Sequence, residues 1–287
     1  MADPGAVLIT GCSSGIGEET ARRLAGKGWT VYATARRPEQ LDELAQAGCK
    51  TLALDVTDEA SMSAAVAAVE AEHRAVGALV NNAGYSLSGA VETLAMDDIR
   101  REFETNVFGL VRMCQLVLPG MRTAGRGRIV NLSSMGGKLT FPGGGAYHAS
   151  KYAVEAFSDA LRFEVAGFGV RVVVVEPGLI LTRFGETAAG TVTANGGSDD
   201  EPTGPYGVFN AKVGATTLAA YEGPMARLGA GPDAVARVIE RAISSGRPRP
   251  RYKVTASARV LMAQRRLVTD RGWDAIMRTQ FPRPSAE

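Results

Sequence analysis

Short runs of apolar and β-branched residues alternate with longer segments of helical period along most of the chain, and few folds accept that order. Residues 6–10, 30–34, 51–54, 78–81, 128–132 and 170–175 read as strands. Between them 16–28, 38–47, 97–123 and 147–167 read as helices, with a further helix capped by Asp58 and running to about Ala75. The 97–123 segment places Ile99, Phe103, Val107, Leu110 and Val111 on one helix face. Strands that are apolar without alternation are buried on both sides, so the expected sheet is parallel, with helices on each face. Right-handed crossovers make it a doubly wound α/β fold. Such sheets bind ligands beyond the carboxyl ends of their strands, so the chemistry is expected just after each strand.

Past Pro177 the pattern changes. The 185–207 stretch is rich in Gly, Thr, Ser, Asp and Pro and has few large apolar residues. It is expected to be a poor core segment and a mobile lid, within a substrate loop of about 185–230. A helix over 232–244, a strand over 252–255 and closing helices over 258–268 and 273–279 follow, the last two in a C-terminal extension from about residue 256. No repeat and no domain-sized linker divides residues 1–287, so a single domain is expected. A net charge of +2 gives no bulk attraction to nucleic acid or membrane. No apolar run is long enough to span a bilayer, and the opening Met-Ala-Asp-Pro-Gly lacks the features of a signal peptide. Cys12, Cys49 and Cys114 lie far apart and are odd in number, which indicates neither a zinc site nor a disulfide framework. Reduced thiols and a cytoplasmic location are expected.

The first strand runs into Thr10-Gly11-Cys12-Ser13-Ser14-Gly15-Ile16-Gly17. Glycines there permit a tight turn and let a phosphate approach backbone N–H groups, while the next helix offers it a positive N-terminal end. The same residues match the GxSxG elbow of serine hydrolases, with Ser13 as nucleophile. That reading lacks an earlier strand to supply an oxyanion loop, and only His73 and His148 are available as bases. His73 lies among charged and small residues and is expected to face solvent. For a nicotinamide dinucleotide, an acidic residue at the end of the second strand would hold the ribose 2′-hydroxyl of NAD(H). The chain has Thr34-Ala35-Arg36-Arg37 instead, and arginine suits the 2′-phosphate of NADP(H).

Ser134 ends the fifth strand, Tyr147 follows thirteen residues later, and Lys151 lies four beyond it. On a helix Tyr147 and Lys151 share a face. A lysine cation beside a phenol favours the phenolate and lowers its pKa from about 10. Such a tyrosine exchanges a proton with an alcohol near neutral pH. A serine at the strand end can hydrogen-bond the oxygen as its charge changes.

Together with Asp55, Asn81-Asn82-Ala83-Gly84, Asn106 and Pro177-Gly178, these motifs resemble, in their order, the short-chain dehydrogenase/reductase family, over nearly the whole chain up to Arg183. The resemblance implies a Rossmann fold and an NADP(H)-dependent interconversion of a carbonyl and an alcohol. It implies that Ser134, Tyr147 and Lys151 are catalytic, that Lys151 also holds the nicotinamide ribose, and that Asn106 positions a water linking the lysine to solvent. Gly11, Ser13, Ser14, Gly15, Ile16 and Gly17 match the cofactor turn, with Arg36 and Arg37 at the 2′-phosphate. Asp55 and Val56 match the adenine contact, and Asn82, Ala83 and Gly84 the stretch along the cofactor. Pro177, Gly178, Ile180 and Thr182 match the segment at the nicotinamide. In one departure, Ser14 stands where many NADP-preferring members carry a basic residue. The glycine turn, the second-strand text and the C-terminal extension are similar to 17β-hydroxysteroid and retinol dehydrogenases, which implies a lipophilic alcohol or ketone. Phe141, Phe184, Phe209 and Met225 are candidates for its apolar pocket. The family commonly forms homodimers or homotetramers through the helices at 97–123 and 147–167, where Ala149, Ala153, Ala156 and Ala160 permit close packing. A nicotinamide-sensing binding protein is the other reading, although members with that role usually lose the tyrosine or the lysine.

Overall fold

The structure, a computed structural model, describes residues 5–182, 184–194 and 204–284. Strands β1 (Val7–Ile9), β2 (Val31–Ala35) and β4 (Ala78–Asn81) are buried at every residue, as two-sided apolar strands require. With β3 (Lys50–Ala53), β5 (Gly127–Leu132), β6 (Val170–Glu176) and β7 (Arg251–Lys253) they form one parallel sheet in the order β3-β2-β1-β4-β5-β6-β7. The chain winds outward from β1 to β3, then returns to the other side of β1 as β4. That reversal opens a crevice above the carboxyl ends of β1 and β4.

Strand pleating sends successive side chains to opposite faces. Val7 and Ile9 pack on one side with Ala21 and Leu24 of α1 (Gly15–Ala25) and with Val235 and Ile239 of α9 (Pro232–Ser244). Leu8 and Leu79 pack on the other. There they meet Val66 of α3 (Glu59–His73), Val117 of α5 (Leu110–Thr123) and Val154 of α6 (Gly145–Glu164). Each such side chain contributes roughly 1.5–3 kcal/mol. Asp58 caps α3 as expected, its Oδ1 accepting from the N–H groups of Ala60 at 2.8 Å and Ser61 at 3.3 Å. A buried polar chain ties β4, β5 and α6 together. Asn81 Nδ2 donates to Asn131 Oδ1 at 3.0 Å, and Asn131 Nδ2 donates to Ser158 Oγ at 2.9 Å.

Three segments differ from expectation. The 38–47 helix is a 3₁₀ turn over Pro38–Leu41 followed by a short α2 (Asp42–Gln46). The single helix over 97–123 is α4 (Met96–Phe103) and α5 joined by a π turn over Glu104–Gly109. There the helix presses on the loop after β3: a Cβ on Gly109 would lie 2.3 Å from the Val56 carbonyl oxygen. The stretch expected to pack poorly begins as a helix, α7 (Phe184–Ala194), with Ala188 and Val192 buried. Its small residues let α8 (Gly207–Glu222) come close, since a Cβ on Gly185 would lie 2.6 Å from the Tyr221 ring. The rest of the expected lid, 195–203, lies outside the described residues. Val192, Phe209 and Val213 join Met262 of α10 (Ala256–Leu267) and Trp273 and Met277 of α11 (Asp270–Gln280) in a third apolar cluster. Cys12, Cys49 and Cys114 are buried free thiols. No helix among the described residues is long and apolar enough to cross a membrane.

Gly109→Ala should cost about 1–3 kcal/mol, because the methyl group meets backbone. Thermal unfolding followed by circular dichroism should show a Tm lower by several degrees; an unchanged Tm would mean that the Val56 loop yields freely.

Candidate active site

The site is built where the β1 and β4 turns meet. Gly11 and Gly15 hold φ of +72° and +63°, a backbone region that glycine enters without strain. A Cβ on Gly11 would lie 2.9 Å from the Ala83 Cα, and one on Gly17 would lie 2.3 Å from the Gly11 carbonyl oxygen. Hydrogen bonds close the same contact. Thr10 Oγ1 accepts from the N–H groups of Asn82 and Ala83, each at 3.0 Å. Asn82 Nδ2 donates to the carbonyls of Thr10 at 3.0 Å and Gly11 at 2.8 Å. Ser14 is the N-cap of α1 but its hydroxyl makes no cap hydrogen bond, so the first N–H groups of α1 are left for an anion.

A cleft of about 1880 Å³ runs along the carboxyl edge of the sheet. Gly11, Ser13, Ser14, Gly15 and Ile16 line one part, with Arg36, Asp55, Val56, Asn82, Ala83 and Gly84. Ser134, Tyr147, Lys151, Pro177, Gly178, Ile180 and Thr182 line the same cleft. Three of the sequence candidates do not reach its walls. Gly17 packs beneath the turn, Arg37 is exposed at the start of the 3₁₀ turn, and Asn106 is buried behind Gly84. Arg36 is exposed and has no ion-pair partner among the described residues. The Asp55 Oδ1 atom is committed to Thr57, accepting from its N–H at 2.9 Å and its hydroxyl at 2.7 Å. Two positive ends, the N-terminus of α1 and the Arg36 guanidinium, thus face one cleft, a donor set that fits a polyanionic nucleotide.

At the other end, Ser134 caps the 3₁₀ turn Met135–Gly137 by accepting from the Gly136 N–H at 3.0 Å. Tyr147 and Lys151 stand one turn apart on α6, with Lys151 Nζ 5.7 Å from the Tyr147 ring centroid. Lys151 Nζ donates to the Leu132 carbonyl at 3.0 Å. Burial pushes the Lys151 ammonium down to about 8, opposed by the charges of Glu102 and Glu155. The Tyr147 phenol moves in the direction opposite to the expected one. Burial raises its pKa, the Tyr221 and Glu102 charges add to this, and a hydrogen bond with Ser134 only partly offsets it, so in the protein alone desolvation is the largest influence.

Asn106 sits in the π turn and is anchored on both sides. Its Oδ1 accepts from the Tyr85 N–H at 3.0 Å, and its Nδ2 donates to the Tyr85 carbonyl at 2.8 Å and to Ser150 Oγ at 3.0 Å. Gly84 lies between this amide and the lysine: a Cβ there would be 2.9 Å from Asn106 Oδ1 and 3.7 Å from Lys151 Nζ.

Phe141, Phe184 and Met225 line the cleft as expected of an apolar pocket, but Phe209 does not; it is packed into the third cluster. Trp273, Met277 and Phe281 also line it. Their four-residue spacing along α11 and the residue just after it is the signal in the sequence, and they close the cleft from the C-terminal extension. Glu102, fully buried behind the site, is not legible as buried in the sequence. His148 lies 5.7 Å from the Tyr147 ring and 5.9 Å from Phe141. Burial pushes it down to about 4, so it is neutral. His73 is not simply solvated: its Nε2 is 3.0 Å from the Tyr32 hydroxyl. Neither histidine hydrogen-bonds Ser13, so the described residues give a serine nucleophile no base. No cluster of three His, Cys, Asp or Glu among them could hold a metal ion.

Comparison with known proteins agrees with this architecture. The family model described as short chain dehydrogenase matches residues 5–191. The chain is 36% identical over 272 residues to the uncharacterized oxidoreductase YbbO of Escherichia coli K12, covering 94% of this chain and 93% of that one. It is 34% identical over 292 residues to human retinol dehydrogenase 5, covering 97% and 89%. Its structure resembles the closed form of a serine dehydrogenase complexed with NADP+, at a TM-score of 0.74 and 30% identity, covering 87% and 94%. On this match and these relatives, the chain belongs to the short-chain dehydrogenase family of oxidoreductases.

Proposed function

We propose that the protein is an NADP(H)-dependent oxidoreductase that interconverts a ketone or aldehyde with an alcohol on a lipophilic small molecule. The observation that carries this reading is the convergence of Ser134, Tyr147 and Lys151 on the same cleft as the open N-terminus of α1. The turn Gly11–Ile16 would hold the pyrophosphate, Arg36 a 2′-phosphate, Asp55 and Val56 the adenine end. Asn82–Gly84, Lys151 and the segment from Pro177 to Thr182 would hold the nicotinamide half. When bound, NADPH supplies the hydride that reduces the carbonyl carbon. Ser134 holds the substrate oxygen and Tyr147 gives it a proton. Lys151 keeps the tyrosine charge-compensated, and oxidation of the alcohol uses the same groups in reverse. The positive charge of an oxidised nicotinamide beside Tyr147 would work against the upward pull of burial on its phenol.

The far wall of the cleft supports the substrate class. Phe141, Phe184, Met225, Trp273, Met277 and Phe281 make it largely aromatic and aliphatic, Gln264 and Gln280 add uncharged polar groups, and no lysine or arginine lines that end among the described residues. Such a wall suits a bulky uncharged molecule. A homodimer or homotetramer also belongs to the reading. On α6 Ala149, Tyr152, Ala156 and Phe157 are exposed, as is Phe108 at the π turn, so two neighbouring helices leave apolar faces uncovered.

Tyr147→Phe should lower kcat for a bulky ketone by about a hundredfold or more with the fold intact. Wild-type-like turnover in that variant would sink the mechanism, whereas NADPH binding without turnover of any carbonyl by the wild type would point to a sensor. Arg36→Ala should raise the KM for NADPH by about tenfold or more and leave that for NADH nearly unchanged; an equal effect on both would remove Arg36 from the 2′-phosphate. Sedimentation velocity should show an oligomer that Ala156→Arg disrupts, and a wild-type monomer would refute the interface.

A further inference from the structure

Glu102 occupies the last turn of α4, one turn before Asn106, and is fully buried. A lone buried carboxyl is costly unless it is paired, hydrogen-bonded or protonated. Its Oε1 accepts from the Leu87 N–H at 3.1 Å and from Asn106 Nδ2 at 3.4 Å, while its Oε2 is buried without a partner. The Asn106 amide has two hydrogens and faces three acceptors: Tyr85 O, Ser150 Oγ and Glu102 Oε1. How it divides them depends on the charge of the carboxyl. The path continues to the reacting end, because the Ser150 hydroxyl donates to the carbonyl of Tyr147 at 2.8 Å. No hydrogen bond among the described residues joins Glu102 to Lys151, so their coupling is through space, in an interior that screens charge weakly.

We propose that Glu102 is a positioning residue of the reaction described above: from behind Gly84 its carboxylate supplies the negative charge that faces the Lys151 ammonium, and it orients the Asn106 amide that braces the turn bearing Tyr147. This rests on the oxidoreductase reading of Tyr147 and Lys151. Burial raises the Glu102 carboxyl to about 7, countered by the Leu87 N–H and by Lys151, while Lys151 is held near 8. The two groups therefore exchange charge within the same pH range. Lys151 and Tyr147 face Glu102 from α6, and Tyr85 faces it from the loop after β4. On its own helix, Arg101 is paired with Asp98. Glu155 also acts on Lys151, but it is tied to Lys138 at 2.8 Å and Arg251 at 3.0 Å, with Glu176 beside that pair. Among the described residues Glu102 has no such ion-paired cation of its own, and so it responds to the state of the site.

The test is the pH dependence of kcat for ketone reduction in wild type, Glu102→Gln and Glu102→Asp. Gln keeps an acceptor for Leu87 and Asn106 but removes the charge. Without that charge Lys151 loses its proton more readily, so the alkaline limb should move to lower pH by about one unit. Glu102→Asp should hold the limb near its wild-type position, even if the rate falls. A merely structural role would lower both rates and move neither limb, and superimposable profiles for Gln and wild type would overturn the proposal. Should Glu102→Gln not fold, ¹⁵N-lysine NMR of the wild type carries the same information. The Lys151 resonance should titrate in two steps, one of them near pH 7, and a single step would refute the coupling. Tyr147→Phe in parallel separates the two ideas: full activity there would end the parent reading, whereas its loss with an unmoved Glu102→Gln profile would end this one alone.

Discussion

Two loops meet at the centre of the sheet with less room between them than a methyl group needs. The turn after β1 and the turn after β4 touch at Gly11 and Ala83, and Gly17 lies against the carbonyl of Gly11. Thr10 and Asn82 bond the loops together with four hydrogen bonds. Because these backbones approach so closely, α1 starts immediately above the switch point with its N–H groups aimed along the cleft. Loops held further apart would separate the anion-binding end from the Tyr147 end. Gly11 and Gly17 are thus a packing requirement before they are a binding motif.

The reacting end depends on burial as much as on residue identity. Lys151 and Glu102 are buried and Tyr147 is half-buried on the cleft wall, and for each of them desolvation is the largest influence on its proton. Removal from water favours the neutral phenol, the neutral amine and the neutral acid alike. A bound oxidised nicotinamide, as proposed above, would add a positive charge, and that charge favours ionised Tyr147 and ionised Glu102 together. In that reading the cofactor and the loss of solvent pull on the Tyr147 proton in opposite directions.

The fold was legible because its cause is local. Apolar strands, capped helices and a glycine turn announce themselves within a few residues, and Tyr147 and Lys151 share a helix face by spacing alone. What escaped notice depends on contacts between distant segments. Glu102, flanked by Arg100, Arg101 and Glu104, has the look of an exposed helical residue. It is buried because α4 runs into the π turn against the segment of Tyr85 and Leu87. The helix α7 is hard to read because Gly, Ala and Thr carry no strong pattern, although those same small residues let it lie against Tyr221. The direction of the Tyr147 shift is not legible, because a neighbouring lysine is visible in a sequence and the loss of solvent is not. Arg36 and Arg37 are identical in text, and only the path of the chain decides that the first lines the cleft.

The π turn at Glu104–Gly109 amounts to one residue more than a regular helix needs to cover the same distance. Residues before it and after it therefore belong to different helical registers, offset by about 100° around the axis. Any two chains compared across this point match on both sides only if both carry the extra residue. A relative with an unbroken α-helix here needs a one-position gap, and an ungapped alignment would match Asn106 to a side chain that points elsewhere.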